Sequence, residues 1–426
     1  MLQVFSTMLY NGESMEYTTS CRFKLHLSAE QRSSLLGTLD AYRNAMNFLL
    51  SENHGPKTTD RSKLHREFYE RIREDFGLPA QHAINVYRET VSTYRTLWKQ
   101  FHNETNPKRK AKIFDRPPVR RSLAARHTLD RNISIDAENL TVRITTIDGR
   151  MKDVPITGWS EHVDRMRSGK ICDSTITYDQ KRRNFYIVIP VTVEVEEHRP
   201  ETVVAIDTGE YHLAAVVSTA GERGIVDLPD DVRTRKTHWQ EKRRELARKG
   251  TRSATRRAKA LSLREKRLTS DALHAISSNL VRTHPDSMFV FEDLTGIRGN
   301  RKTFRKGADV EERRENRRQA EQWPFFEFQF QVGYKSILHN GIPSESENPA
   351  YTSQTCPVCG LVDAGNRNGD EFLCLNCGHH DHSDLVAGTN ILNRFLGRLS
   401  AVPDAPKTEG QRPEVKVEQA HGFSRG

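Results

Sequence analysis

The chain has 426 residues, 35% hydrophobic and 29% charged, which allows two or three domains with cores of their own. No run of about 18 apolar residues occurs, which excludes a hydrophobic membrane-spanning helix. The start Met1-Leu2-Gln3-Val4-Phe5-Ser6 lacks the charged and apolar regions of a secretory leader, so a cytoplasmic protein is expected.

Net charge is +10, and its placement says more than its total. Fifteen Lys or Arg face three Glu between Arg233 and Arg267, a net +12, which leaves the rest of the chain at −2. Charge gathered in this way suits a polyanion-binding surface; the competing reading is a solvated helix with internal ion pairs.

In chain order, Tyr17 to Leu27 alternates apolar and polar residues, the pattern of a strand. Ser28-Ala29-Glu30-Gln31 then reads as a helix start with an acidic first turn, followed by Leu35, Leu36, Leu39, Tyr42, Met46 and Leu49 at helical spacing. Two more helices are expected, over about 61–75 and about 79–101. The segment Asn106 to Arg121 is basic and broken by prolines, and reads as an extended loop, either touching phosphates or serving as a linker. Alternating runs over 132–135, 140–147, 151–156, 176–178 and 184–195 predict β-hairpins. Residues 1–200 therefore read as a β module with a helical insertion at about 28–105.

Composition changes at Glu196-Glu197-His198-Arg199-Pro200. Beyond it the pattern predicts a buried strand, a hairpin, long basic helices, a second buried strand, a cysteine region and a closing helix. The last residues, with Pro403, Pro406 and Pro413, are polar and expected to be disordered.

Three carboxylates are candidates for chemistry. Asp207 ends the apolar run Val203-Val204-Ala205-Ile206, Glu292 ends Met288-Phe289-Val290-Phe291, and Asp384 precedes the apolar stripe of the closing helix. An apolar run is a strand buried on both faces, and an acidic residue at its end stands at the sheet's rim. Carboxylates remote in sequence that meet there suit a pair of Mg²⁺ ions, which prefer oxygen donors and cut phosphodiesters; strand-ending acids also cap turns.

Cys356-Pro357-Val358-Cys359-Gly360 and Cys374-Leu375-Asn376-Cys377-Gly378 are two knuckles at the spacing of a zinc ribbon. Four thiolates complete a tetrahedral shell, so His379, His380 and His382 are not needed as ligands, and the zinc is structural. Two disulfides are the competing reading.

In these motifs the sequence resembles the TnpB family of transposon-encoded, RNA-guided nucleases, relatives of compact type V CRISPR effectors. Ile206-Asp207-Thr208-Gly209 with Leu213-Ala214 resembles the family's first RuvC motif, and Phe291-Glu292-Asp293-Leu294 its second. Trp323-Pro324-Phe325 through Tyr334-Lys335 resembles a linking block, and Pro349 to Cys356 runs into the ribbon as in the family. The third motif, Arg-Asp-x-Asn-Ala-Ala-x-Asn-Ile, reads here Ser383-Asp384-Leu385-Val386-Ala387-Gly388-Thr389-Asn390-Ile391, with Ser383, Val386 and Gly388 as departures.

The resemblance implies an α/β fold. An RNase H-like (RuvC) nuclease domain at 201–396 would carry an inserted four-cysteine zinc ribbon at 351–382. A β-barrel-like module with its helical insertion would precede it for nucleic-acid recognition, and a disordered tail at 397–426 would follow. Asp207, Glu292 and Asp384 would bind two Mg²⁺ (or Mn²⁺) ions and be catalytic; Cys356, Cys359, Cys374 and Cys377 would bind Zn²⁺. Guide RNA and target DNA are the implied partners. Lys242, Arg243, Arg244, Arg248, Arg252, Arg256 and Lys259 are the residues expected on their backbones; Trp239 is a candidate stacking residue, and Arg298 to Arg318 a second basic contact. Other readings are an RNA-guided DNA-binding protein with little cleavage, a guide-independent RNase H-type transposase, and a true CRISPR effector.

Overall fold

The computed structural model describes residues 14–209, 212–294 and 325–401. The basic segment Arg298 to Arg318, Trp323-Pro324 and the tail beyond Ala401 lie outside the described residues. The described residues divide into two compact units, one formed by Glu16–Glu194 and one running from Val195 onward.

The first unit opens with β1 (Ser14–Leu25), whose alternation buries Cys21, Phe23 and Leu25. Ser28 then caps α1 (Ala29–Glu52) in a reciprocal pair with Gln31, satisfying two helix-end N–H groups. Helices α2 (Arg61–Phe76) and α3 (Ala80–Asn103) complete the insertion. Gly77, at φ 61°, ends α2 in the left-handed conformation that glycine adopts without Cβ strain.

The basic stretch is not wholly extended, in contrast to the sequence expectation. Pro107–Lys112 forms the short helix α4, because Asn106 caps Lys108 and Arg109 and proline stands in the first turn, where its missing N–H costs nothing.

Strands β2 (Ala124–His127), β3 (Ile133–Asp136), β4 (Thr141–Thr146) and β5 (Gly149–Thr157) follow, then α5 (Ser160–Ser168), β6 (Lys170–Ile171), β7 (Ser174–Asp179) and β8 (Asn184–Glu196). They order as β2-β7-β8-β1-β5-β4-β3, with β6 on β8, and a bridge from Leu129 to Ile133 nearly closes the sheet into a barrel. The nine-residue α5 has no sequence signature because Met166 is its one buried side chain. A helix with so small an apolar stripe shows no period.

The second unit is built on a five-stranded mixed sheet. Strands β9 (Thr202–Asp207), β10 (Ala214–Ser218) and β11 (Arg223–Val226) run antiparallel, and β12 (Ser287–Glu292) and β13 (Glu345–Glu347) lie parallel to β9, in the order β11-β10-β9-β12-β13. Between β11 and β12 come α6 (Asp230–Lys249) and α7 (Arg252–Thr283); α8 (Phe325–Asn340) precedes β13. A small sheet of β14 (Arg367–Asn368), β15 (Glu371–Leu373) and β16 (His380–His382) carries the cysteine region, and α9 (Ser383–Ala401) closes the unit. Helix α9 continues five residues beyond 396.

Because side chains alternate across a strand, β9 and β12 feed two cores. Val204, Ile206, Phe289 and Phe291 pack with Leu273, Val281, Phe328 and Val332 of α7 and α8. Val203, Ala205, Met288 and Val290 pack with Ile391 and Phe395 of α9. Both faces are covered, so both strands read as unbroken apolar runs.

Candidate active site

The same alternation fixes the carboxylates. Asp207 follows Val203 and Ala205 in parity, and Glu292 follows Met288 and Val290, so both belong to the face covered by α9. Parallel pairing of Phe291 with Ile206 makes them neighbours at the carboxyl ends of two adjacent strands. Asp384, in the first turn of α9, precedes Ile391 by seven residues and Phe395 by eleven, the stripe that packs on this face. Gly209, just past β9, completes the approach: a Cβ there would stand 3.4 Å from Asp384 Oδ2.

The Asp207 and Glu292 carboxyl groups adjoin closely enough for the charge of one to act on the other. Burial holds Asp207 well above the usual carboxylate range, and the charges of Glu292 and Asp384 add to this. Burial also raises Glu292. Like charges gathered out of water cannot all ionise without a compensating cation. Arg367, on β14, supplies one: its guanidinium lies 3.3 Å from Asp384 Oδ1. Nothing in the sequence pattern marks this residue. Gln329 of α8 donates to the Glu292 carbonyl at 3.1 Å, steadying the strand end. Asp293, next to Glu292, is exposed and bonds through its backbone to Glu347.

The departures from the family's third motif have local causes. Ser383 is buried and ties α9 to the small sheet through Asp370 and Gly369. Val386 fills the apolar centre beneath the cysteines with Cys356, Phe372 and Cys374, a place where an amide would need partners. At Gly388 a Cβ would meet Val217 Cγ2 at 3.0 Å.

The four cysteines carry no disulfide and converge. Cys356 and Cys377 sulfurs are 3.6 Å apart, and those of Cys359 and Cys374 3.5 Å. A tetrahedron with metal–sulfur bonds of ~2.3 Å has edges of ~3.8 Å, so the spacing fits such an ion and is far from a disulfide's ~2.05 Å. The Leu361 amide, chiefly, with Asn376, pulls the Cys359 thiol down to about 6, toward the thiolate a metal binds. None of His379, His380 and His382 joins this cluster. His382 lies with His212 and Asp370 instead. Its Nδ1 accepts from the Asp384 amide at 3.2 Å, so its neutral ring keeps the proton on Nε2 and holds the start of α9.

The cationic helices are partly self-paired. Arg243 meets Glu265 across the α6–α7 hairpin at 2.8 Å, and Lys242 meets Glu245 at 3.0 Å. Arg244, Arg248, Arg252, Arg256 and Lys259 are exposed. Between the helices a cleft of about 550 Å³ is lined by Lys242, Lys249, Arg257 and Arg264 against Glu245 alone. Trp239 is half-buried, with the Arg235 guanidinium 5.6 Å from its ring centre.

Residues 186–296 match the OrfB_IS605 family model, described as "Probable transposase", and residues 325–391 match the Cas12f1-like TNB domain. TnpB-like protein MJ0751 of Methanocaldococcus jannaschii is 30% identical over 219 residues, 49% of this chain and 74% of that protein. The CRISPR-associated endodeoxyribonuclease Cas12f1 of Sulfoacidibacillus thermotolerans is 34% identical over 111 residues, 26% of this chain but only 22% of its own length. In fold, the chain is similar to Cas12f1 from a complex with sgRNA and target DNA, with a TM-score of 0.52 at 11% identity, over 89% of this chain and 98% of that one. The chain thus belongs to the TnpB family, related to the type V effectors.

Proposed function

We propose that the protein is an RNA-guided DNA endonuclease, transposon-associated, with a RuvC-type (RNase H-like) metal site formed by Asp207, Glu292 and Asp384. The observation that supports this reading is that Asp207 and Glu292 end adjacent strands on the face that α9 covers, with Asp384 in the first turn of that helix. The donor set fits hard divalent cations: oxygen ligands only, with more negative charge than Arg367 offsets. Asp207, Glu292 and Asp384 would hold two Mg²⁺ (or Mn²⁺) ions, which would supply an activated water and stabilise the departing oxygen of the phosphodiester.

The chain's own residues do the rest. Asp207 and Glu292 would lose the proton that burial favours as they become ligands. Arg367 presents a guanidinium beside Asp384 that suits a bound phosphate. The thiolate cluster takes structural Zn²⁺ and holds the sheet bearing Arg367. The exposed cations of α6 and α7 favour the backbone of a guide–target duplex, recognised by shape and not by base. The barrel unit, Glu16–Glu194, is assigned to nucleic-acid recognition, and a cytoplasmic location follows from such substrates.

Purification with RNA from the native locus, followed by programmed cleavage in Mg²⁺, tests the reading. Wild type should cut matched DNA; Asp207→Ala should not, and Arg367→Ala should cut at least about a hundredfold more slowly. Unimpaired cleavage by Asp207→Ala would overturn the metal assignment. A chain that binds guide and target but never cuts would be an RNA-guided binding protein, and cleavage or joining without RNA would make it a transposase.

A further inference from the structure

Helices α6 and α7 are joined by Gly250 and Thr251 alone. Gly250 ends α6 in the left-handed conformation, and Thr251 caps α7 through the Ala254 amide. Helices turned back so tightly ordinarily close on each other along an apolar seam, but here the seam stays open near the turn. The walls of the cleft, about 550 Å³, are one stripe from each helix, Lys242 to Lys249 and Arg257 to Arg264. The contacts of Gln240 and Arg243 with Glu265 fix the register of the hairpin. Lys249 and Arg257 therefore stand at one end of the cleft, and Lys242 and Arg264 at the other, about 10 Å away over seven helical residues. Between the two pairs lie Leu246 and Leu261, both partly buried, and the small Ala260.

Lys249, Arg257 and Arg264 form no ion pair among the described residues. Glu245 is the single acid of the lining. The Lys242 ammonium bonded to it holds its carboxyl below the usual range, so it is an ionised acceptor. A cleft of this size takes one small ligand, whereas the backbone of a duplex passes over it. We propose that the cleft receives a single unpaired nucleotide of the bound RNA, with its base on Leu246 and Leu261 and its flanking phosphates on the cations at either end. Long side chains leaning inward bring those cations to the phosphates. A carboxylate repels phosphate, so Glu245 serves this ligand as acceptor for a donor, and the 2′-hydroxyl that separates RNA from DNA is one that every ribonucleotide carries. The exposed Arg248 and Arg256, next in sequence to Lys249 and Arg257, give the strand a path beyond the cleft. The inference rests on the proposed function for its RNA partner and on the cleft for everything else.

The full chain, prepared without its RNA and kept in EDTA, is titrated with an RNA hairpin carrying one unpaired 2-aminopurine nucleotide, a base that brightens on leaving a stack. The comparisons are the same hairpin with that base paired to uridine and a DNA hairpin with the same bulge. The bulged RNA should brighten on binding and bind at least about tenfold more tightly than either comparison. Arg257→Gln/Arg264→Gln should abolish brightening and preference, and so should Ala260→Leu, which fills the floor without changing charge. Arg248→Gln/Arg256→Gln removes as many cations and should weaken all the hairpins alike while the preference persists. Brightening and preference that survive the first two variants would overturn the inference. So would equal binding of the bulged DNA, or equal brightening by free 2-aminopurine riboside 5′-monophosphate, which would make this a site for free nucleotides. A chain that shows the preference but never cuts with its native RNA in Mg²⁺ would end the nuclease reading and leave the pocket standing; a chain that cuts but shows no preference would do the reverse.

Discussion

At the scale of single residues, the carboxylate cluster ties stability to proton and metal. Asp207 is held well above the usual range by burial first and by its acidic neighbours second. An aspartate in the unfolded chain titrates near about 3.9. The folded chain therefore keeps a proton that the unfolded chain has lost. This contribution to stability is full below about pH 4 and disappears as pH rises through the folded value. In EDTA the thermal midpoint should fall as pH rises above about 4, and Mg²⁺ should restore it most at the alkaline end, where it replaces the proton. At a hundred times its dissociation constant the ion would add about 2.7 kcal/mol. In Asp207→Asn both effects should shrink; a midpoint that ignores Mg²⁺ at every pH would contradict the assignment. The candidates Asp207, Glu292 and Asp384 are legible in the sequence because two end apolar runs and the third follows the cysteines. Arg367 is not, since an arginine on a two-residue strand has no pattern of its own, and its meaning comes only from Asp384 lying 3.3 Å away.

At the scale of elements, α9 is matched to the sheet by a missing methyl group. Alanine at 388 would press on Val217 at 3.0 Å, and overfilling a packed contact costs about 1–3 kcal/mol. Gly388→Ala alone should lower the urea midpoint; combined with Val217→Ala it should recover much of the loss. A double-mutant cycle with no coupling would refute the contact. The cysteine region makes a second link. Its three strands are two or three residues each, around Phe372, Cys356, Cys374 and Val386. So small a core would depend on a metal held by the four thiolates. Cys359→Ser should lower bound zinc, measured by mass spectrometry, and also lower cleavage, although Cys359 is not one of the catalytic carboxylates, because Arg367 and the start of α9 lose their anchor. The thiolate spacing is plain in the sequence. The helices α4 and α5 are not, being too short to show a period.

At the scale of the whole molecule, charge is divided by element. The stretch from Arg233 to Arg267 carries a net +12 while the chain carries +10. The sequence pattern shows no partners for these cations, yet Glu265 sits on the next helix and takes Arg243, a pairing that only the folded hairpin reveals. Positions 243 and 248 should therefore behave differently. Arg248→Ala or Arg256→Ala should weaken nucleic-acid binding and reduce its salt slope by about 0.9 for each phosphate no longer neutralised. Arg243→Ala should mainly lower stability, by leaving buried Glu265 with only the Gln240 amide and the charge of Lys236 beside it. Equal salt slopes for all three would show that the helices do not touch phosphate individually.

The parity of β9 has a further consequence. Val203, Ala205 and Asp207 belong to one face and Val204 and Ile206 to the other. Inserting or deleting one residue within this strand would exchange the two sets, carrying aspartate toward the wrong core and valines toward the acids. Substitution scans would find several tolerant positions here, but a scan of single-codon insertions should find none. The strand's length, as much as its composition, is what the chain must inherit unchanged.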